Sequence, residues 1–183
     1  MKTRIFHKAH VTILVWLGVA IDIRSRGKWP KYALSNFYHN SFVLDGISCR
    51  SMEGFLQSLK CNHINEQILI CKKRGKKAKL FGQHIKGNPC YDFEARGVFW
   101  NETFINRHSL EYQNLLRRAY RAMLDQCPKF REALLATGIK RLYHTIGNTD
   151  PHQTILTEKE LCDILTELRS ELTKDSQNNE QTL

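Results

Sequence analysis

Glu53, Gln57 and Lys60 stand at i, i+4 and i+7 in the stretch Ser51-Met52-Glu53-Gly54-Phe55-Leu56-Gln57-Ser58-Leu59-Lys60. On a helix this spacing sets an acid, an amide and an amine along one face. A carboxylate held there can offset positive charge developing on a nearby carbon, or direct a water at it. An amine can trap an aldehyde as a Schiff base. Two turns separate Glu53 from Lys60, roughly 10.5 Å of rise, so the pair could flank one small group without touching. The same spacing also describes the solvated face of an ordinary amphipathic helix, and on spacing alone both readings stand.

The stretch has the signals of a helix start. Ser51 can cap it by accepting from an orphan backbone N–H, and Met52, Phe55, Leu56 and Leu59 form an apolar stripe. Upstream, Ala20 to Arg24 reads as a buried strand, and Met1 to Val19 as an irregular leader of basic and apolar character. Its apolar run is too short to span a bilayer and lacks a clear signal-peptide cleavage site, so no membrane partner is expected. Arg24-Ser25-Arg26-Gly27-Lys28-Trp29-Pro30 is a basic loop. There Ser25 and Arg26 could hold a phosphate, or the segment is a solvated turn. Leu34-Ser35-Asn36-Phe37-Tyr38 follows. Asn36 could read a ligand hydroxyl or base edge, and Phe37 could wall a pocket or pack in the core. Ser41 to Ile47 predicts a strand with a turn at Asp45-Gly46.

Downstream, Asn65 to Lys73 predicts a second helix. Lys72 to Lys79 carries six basic residues in eight positions, a solvated face or linker that could also grip a nucleic-acid backbone. His84 to Phe104 reads as a long loop with a strand near Gly97 to Trp100, and Trp100 could stack on a base or pack in the core. Ser109 caps a helix to about Asp125 with Tyr112, Leu115, Leu116, Ala119 and Met123 as its apolar stripe. Pro128 opens another helix, which Gly138 stops. Arg141 to Thr145 predicts a strand. A last helix starts at Thr157 with a capping box to Glu160. The fold class is α+β, a mainly helical single domain over residues 20–173 with a small β-sheet. Residues 174–183 read as a polar, frayed tail.

The 183 residues suffice for one domain with a real core, and 42% hydrophobic with 25% charged residues is ordinary for a soluble globular chain. Twenty-eight basic against 18 acidic side chains give +10, which favours polyanions, phosphorylated ligands or nucleic acid. Cys49, Cys61, Cys71, Cys90, Cys127 and Cys162 form no CxxC pair. They read as reduced, mostly buried thiols of a cytoplasmic protein. Cys61-Asn62-His63 lacks a second pair at metal-ligand spacing, so no zinc is expected.

The run from Leu34 to Lys60 resembles the NADAR (YbiA-like) superfamily of N-glycosidases. That family's pattern is a Ser-Asn-Phe segment, a strand ending in Asp-Gly, then a helix reading Ser-x-Glu-x-x-x-Gln-x-x-Lys. Here these are Ser35-Asn36-Phe37, Asp45-Gly46, and Ser51, Glu53, Gln57 and Lys60. The resemblance runs on through Lys129-Phe130, Leu134 to Gly138, Asp150 and Leu168-Arg169. It implies cleavage of a bond between a base nitrogen and ribose C1′, with Glu53, Lys60 and Asp150 as catalytic residues, and Lys60 able to form a covalent sugar adduct. Ser25, Arg26, Ser35, Asn36, Phe37 and Gln57 would border the ligand, with Trp100 and Tyr112 offered as its aromatic contacts. No metal or organic cofactor is implied. Two family substrates are candidates: ADP-ribose on guanine in nucleic acid, and a phosphoribosylamino-pyrimidine of riboflavin synthesis. A non-catalytic ADP-ribose or nucleic-acid binding module is the third reading. The chain departs from YbiA-type members on the base side. It has Gly82-Gln83 for Gly-Arg, Gln153-Thr154 for Trp-Gly, and Asn114-Leu115 where a tryptophan stands early in the long helix. With the +10 charge, these departures favour the nucleic-acid substrate.

Overall fold

A computed structural model describes residues 2–83 and 97–180. Its elements are α1 (Lys2–Trp16), β1 (Ala20–Asp22), β2 (Phe42–Leu44), β3 (Ile47–Cys49), α2 (Met52–Ser58), α3 (Ile64–Cys71), α4 (Gly75–Gln83), β4 (Val98–Trp100), β5 (Thr103–Ile105), α5 (Leu110–Gln126), α6 (Pro128–Leu135), β6 (Arg141–Tyr143) and α7 (Glu158–Glu180). The fold is α+β.

Three two-stranded sheets replace a single small one. β1 and β6 run parallel, with Ile21 opposite Leu142. β2 and β3 form a hairpin whose turn residues Asp45 and Gly46 both have positive φ, 48° and 80°, the backbone that matches a tight two-residue turn to strand twist. β4 and β5 form a second hairpin through Asn101 and Glu102. The sequence signalled β2 and β4 but not their partners β3 and β5; all four are three residues long.

α2, the buried faces of α5 and α7, and the strands enclose one core. The α5 stripe is buried as expected, and Tyr120 and Leu124 extend it. Thr157 and Glu160 form the capping box of α7: the Glu160 N–H donates to Thr157 Oγ1 at 3.1 Å, and the Thr157 N–H to Glu160 Oε2 at 2.7 Å.

Two expectations are corrected and one is narrowed. The leader is a helix, α1, because it has a surface to dock on: Val11 is buried, Arg4 donates to the Gly147 carbonyl at 3.0 Å, and His7 meets Glu158 at 3.2 Å. Of the two readings of the basic run, the linker gives way to the solvated face, since Gly75 onward forms α4 with Lys76, Lys77 and Lys79 exposed. The polar tail continues α7 as far as Glu180. The expected loop over residues 84–96 lies outside the described residues. No helix among the described residues is long and apolar enough to cross a membrane.

Candidate functional site

All seven residues of α2 are buried, the polar ones included. The Ser51 hydroxyl accepts from the Gly54 N–H at 3.1 Å, as an N-cap should. Gly54 allows close packing on α3: a Cβ there would come within 2.7 Å of the Lys73 carbonyl and 2.9 Å of that of Cys71. The face carrying Glu53 and Gln57 is therefore not a solvated face. α4 covers it, and the small residues Gly75, Ala78 and Gly82 at i, i+3 and i+7 are the buried side of α4. A Cβ on Gly82 would lie 2.8 Å from Gln57 Cβ and 2.9 Å from Gln57 Cδ, so only glycine lets α4 lie this close.

Within this cover, Gln57 Nε2 donates to Glu53 Oε1 at 3.0 Å. Burial pushes the Glu53 carboxyl above its ordinary range; the Gln57 hydrogen bond and the Lys79 and Lys60 charges oppose the rise. Burial lowers Lys60 below the ordinary lysine value, Glu53 opposes that, and Lys79 adds to it. Neither lysine closes an ion pair with Glu53 among the described residues. Burial thus acts against the charged form of both groups, while the charge of each favours the charged form of the other. Such opposed shifts from burial and charge are characteristic of reactive sites.

The segment Ser35-Asn36-Phe37 is tied to the same helix. The Glu53 N–H donates to the Asn36 carbonyl at 2.9 Å. Asn36 Oδ1 accepts from the Tyr120 hydroxyl at 2.7 Å, and the Phe37 N–H donates to Ser35 Oγ at 3.3 Å. The half-buried Phe37 ring lies 5.9 Å from Lys79 Nζ. Gln57 Oε1 is buried without a hydrogen-bond partner among the described residues, on the side that Gly82 covers.

The fold thus gathers Ser35, Asn36, Phe37, Glu53, Gln57 and Lys60, and adds Lys79, Tyr120 and Gly82. Sequence reasoning had Lys79 in the basic run and Gly82 among the base-side departures without placing either beside Glu53, and it missed Tyr120. The Gly75-Ala78-Gly82 spacing was the available signal, since small residues at helical intervals mark a close-packed face. Tyr120 falls on the apolar stripe of α5 and reads as core.

Other candidates lie elsewhere or have other partners. Ser25 and Arg26 are exposed, and it is Arg24 that engages the fold, donating to Asp22 at 2.8 Å and Thr145 at 3.0 Å. Tyr112 is fully buried, with its hydroxyl donating to the Ile155 carbonyl and its face 4.5 Å from the Arg107 guanidinium. In this structure its ring and hydroxyl are turned to the core. Trp100 is core as well: it packs edge-on against Phe55 at 5.0 Å and its Nε1 donates to Asp45 Oδ2 at 2.8 Å. Only its rim reaches an open groove of about 450 Å³ shared with Asn114, Leu115 and Arg118, which Glu53 does not line. Asp150 sits in the loop after β6, where its Oδ1 accepts from the His152 N–H at 2.9 Å. It is not among the groups acting on Glu53.

The architecture is that of the YbiA-like fold. The solution structure of YbiA from E. coli matches with a TM-score of 0.58 over 86% of this chain and 87% of that one, at 20% sequence identity. The chain belongs to the family described as bacteriophage protein GP30.3, which matches residues 28–170. It is also 36% identical over 154 residues to an uncharacterized 17.1 kDa protein of the Gp30-rIII intergenic region of Enterobacteria phage T4, covering 83% of this chain and 98% of that protein.

Proposed function

We propose that this chain is an N-glycosidase that removes ADP-ribose from ADP-ribosylated guanine in nucleic acid. The supporting observation is the buried Glu53 carboxyl under the influence of two amines, Lys60 and Lys79, with Gln57 holding its orientation. As the bond from the base nitrogen to C1′ breaks, its electron pair leaves with the base, which takes up a proton. The sugar gains positive charge, which the Glu53 carboxylate offsets. Water adds to C1′ and gives up a proton, leaving ADP-ribose and an intact base. The freed sugar opens to an aldehyde that a neutral Lys60 amine can condense with, losing water; hydrolysis of that Schiff base returns both. The lowered proton affinity of Lys60 supports this role, because only the unprotonated amine is nucleophilic. Asp150 keeps the part that the resemblance gives it, from the loop after β6. The +10 charge and the exposed Lys76 and Lys77 of α4 favour a polyanionic substrate.

The test is incubation with a single-stranded oligonucleotide carrying ADP-ribosyl-guanine, with Glu53→Gln, Lys60→Ala and Asp150→Asn proteins alongside. Release by the parent and a loss of about 10²–10⁴-fold in Glu53→Gln is the expected result. Hydrolysis of a phosphoribosylamino-pyrimidine instead would move the substrate to a small metabolite. Tight binding of the oligonucleotide with no turnover of either substrate would make the chain a binding module.

A further inference from the structure

α1 presents two unlike faces. Arg4, His7, Val11 and Leu14 point at the fold, as their contacts and burial show. On the opposite side Ile5, Phe6, Ala9, Ile13 and Trp16 fall within an arc of about 100° at 3.6 residues per turn. Every one of them is exposed, Phe6 at 72% and Trp16 at 83%. Leu17 and Val19 continue the apolar surface beyond the helix. Single exposed apolar side chains are ordinary, whereas a contiguous stripe with a bare tryptophan marks an interaction surface. α1 lies wholly outside the residues that the GP30.3 family matches, which begin at 28.

The charge around the stripe identifies the partner. α1 contains no acidic side chain. Exposed Lys8 flanks it, and the Arg141 N–H donates to the Val19 carbonyl at 3.1 Å, which places exposed Lys140 and Arg141 next to its end, with Ile139 fully exposed beside them. An apolar stripe with a cationic rim, ending in tryptophan, suits the headgroup layer of an anionic bilayer. A second copy suits it less: two molecules of charge +10 would bring like-charged rims together with no acidic group on α1 to meet them. Fifteen residues rise only about 22 Å, short of a hydrocarbon core of about 30 Å, and the opposite face is occupied by the fold.

Against the sequence expectation of no membrane partner, which rested on the run being too short to span, we propose that the outer face of α1 lies flat in the headgroup layer of an anionic lipid surface and holds the protein there peripherally. This inference is independent of the proposed activity. The test is co-sedimentation of the full chain with phosphatidylglycerol-containing vesicles and with pure phosphatidylcholine vesicles. Phe6→Ser, Trp16→Ser and Arg141→Glu are run in parallel, and circular dichroism checks that each folds. The expected result is binding to the anionic vesicles, weakened at least about tenfold by Trp16→Ser or Phe6→Ser, and reduced by Arg141→Glu and by salt. Absence of sedimentation, or equal binding to both vesicles, overturns the proposal. So does a concentration-dependent dimer in ultracentrifugation that Phe6→Ser abolishes, since that would assign the face to a second copy.

Discussion

Replacing Gly82 by alanine isolates the contact that closes the site. In an unconstrained helix the change would stabilise by at most about 1 kcal/mol, from glycine's poor helix propensity. Here the new Cβ would lie 2.8 Å from Gln57 Cβ and 2.9 Å from Gln57 Cδ. Gln57 Cβ is fixed by the α2 backbone and cannot swing aside, so either α4 lifts from α2 or the Gln57 side chain is driven off Glu53. Overpacking of this kind costs about 1–3 kcal/mol. Loss of the bond to the Glu53 carboxyl, made at 3.0 Å, adds about 1.5–3 kcal/mol if that group is ionised. Set against the propensity gain, the expected net destabilisation is about 1.5–6 kcal/mol. Urea denaturation measures it. The same substitution has a second consequence, because the Gln57 bond lowers the Glu53 pKa. Without it, the carboxyl titrates at higher pH and the acid limb of the activity profile moves upward. A Gly82→Ala protein within about 0.5 kcal/mol of the parent, with an unmoved acid limb, would refute the account of how α4 covers the site.

Three further outcomes are expected. Lys79→Gln removes a charge that lowers both Glu53 and Lys60, so both limbs of the pH–rate profile should shift to higher pH; a profile that merely scales down would remove Lys79 from the site. Arg107→Leu strands Glu160, which the buried guanidinium holds by two bonds of 2.8 Å, and should cost about 3–5 kcal/mol in urea unfolding. Glu160 has a folded pKa below its unfolded value near 4.5 despite burial, chiefly through the hydrogen bonds from Arg107. Its contribution is therefore full above that pH and fades as pH falls towards the folded value; the pH dependence of the parent's urea midpoint should carry a component that Glu160→Gln removes. Ser51→Ala removes the α2 cap and should cost about 0.5–2 kcal/mol, read in the same assay, with no effect expected from the exposed neighbour Arg50→Ala.

Local rules were legible wherever chemistry and spacing agreed over a few residues. The Ser51 cap, the Thr157–Glu160 box, Pro128 at a helix start, the α5 stripe and the Asp45-Gly46 turn all appear where the sequence places them. The resemblance built on Ser35 to Lys60 led to the right fold. What failed was each judgement that depended on a neighbour distant in the chain. The run Lys72 to Lys79 leaves a solvated face and a linker both open, because the purpose of Gly75, Ala78 and, beyond the run, Gly82 is visible only against α2. Trp100 stands between base stacking and core packing, and Tyr112 between apolar stripe and ligand contact, because aromatic type says nothing of burial. Arg107, which fixes the loop bearing Asp150 through the Thr154 carbonyl at 3.2 Å, carried no local signal.

The sequence by itself determined α2, α5, α6 and the start of α7, because caps, stripes and turns are interactions among residues a few positions apart. It put Glu53, Gln57 and Lys60 along one helix, whereas α2 ends at Ser58 and Lys60 stands in the turn that follows, its N–H donating to the Gln57 carbonyl at 3.3 Å. Only the tertiary structure decided what that helix face does. Whether a carboxyl and an amine are solvated, or desolvated so that burial acts against both charged forms, depends on what covers them. Here the cover comes from Asn36, Tyr120 and α4, brought from positions far apart in the chain by the burial of the core.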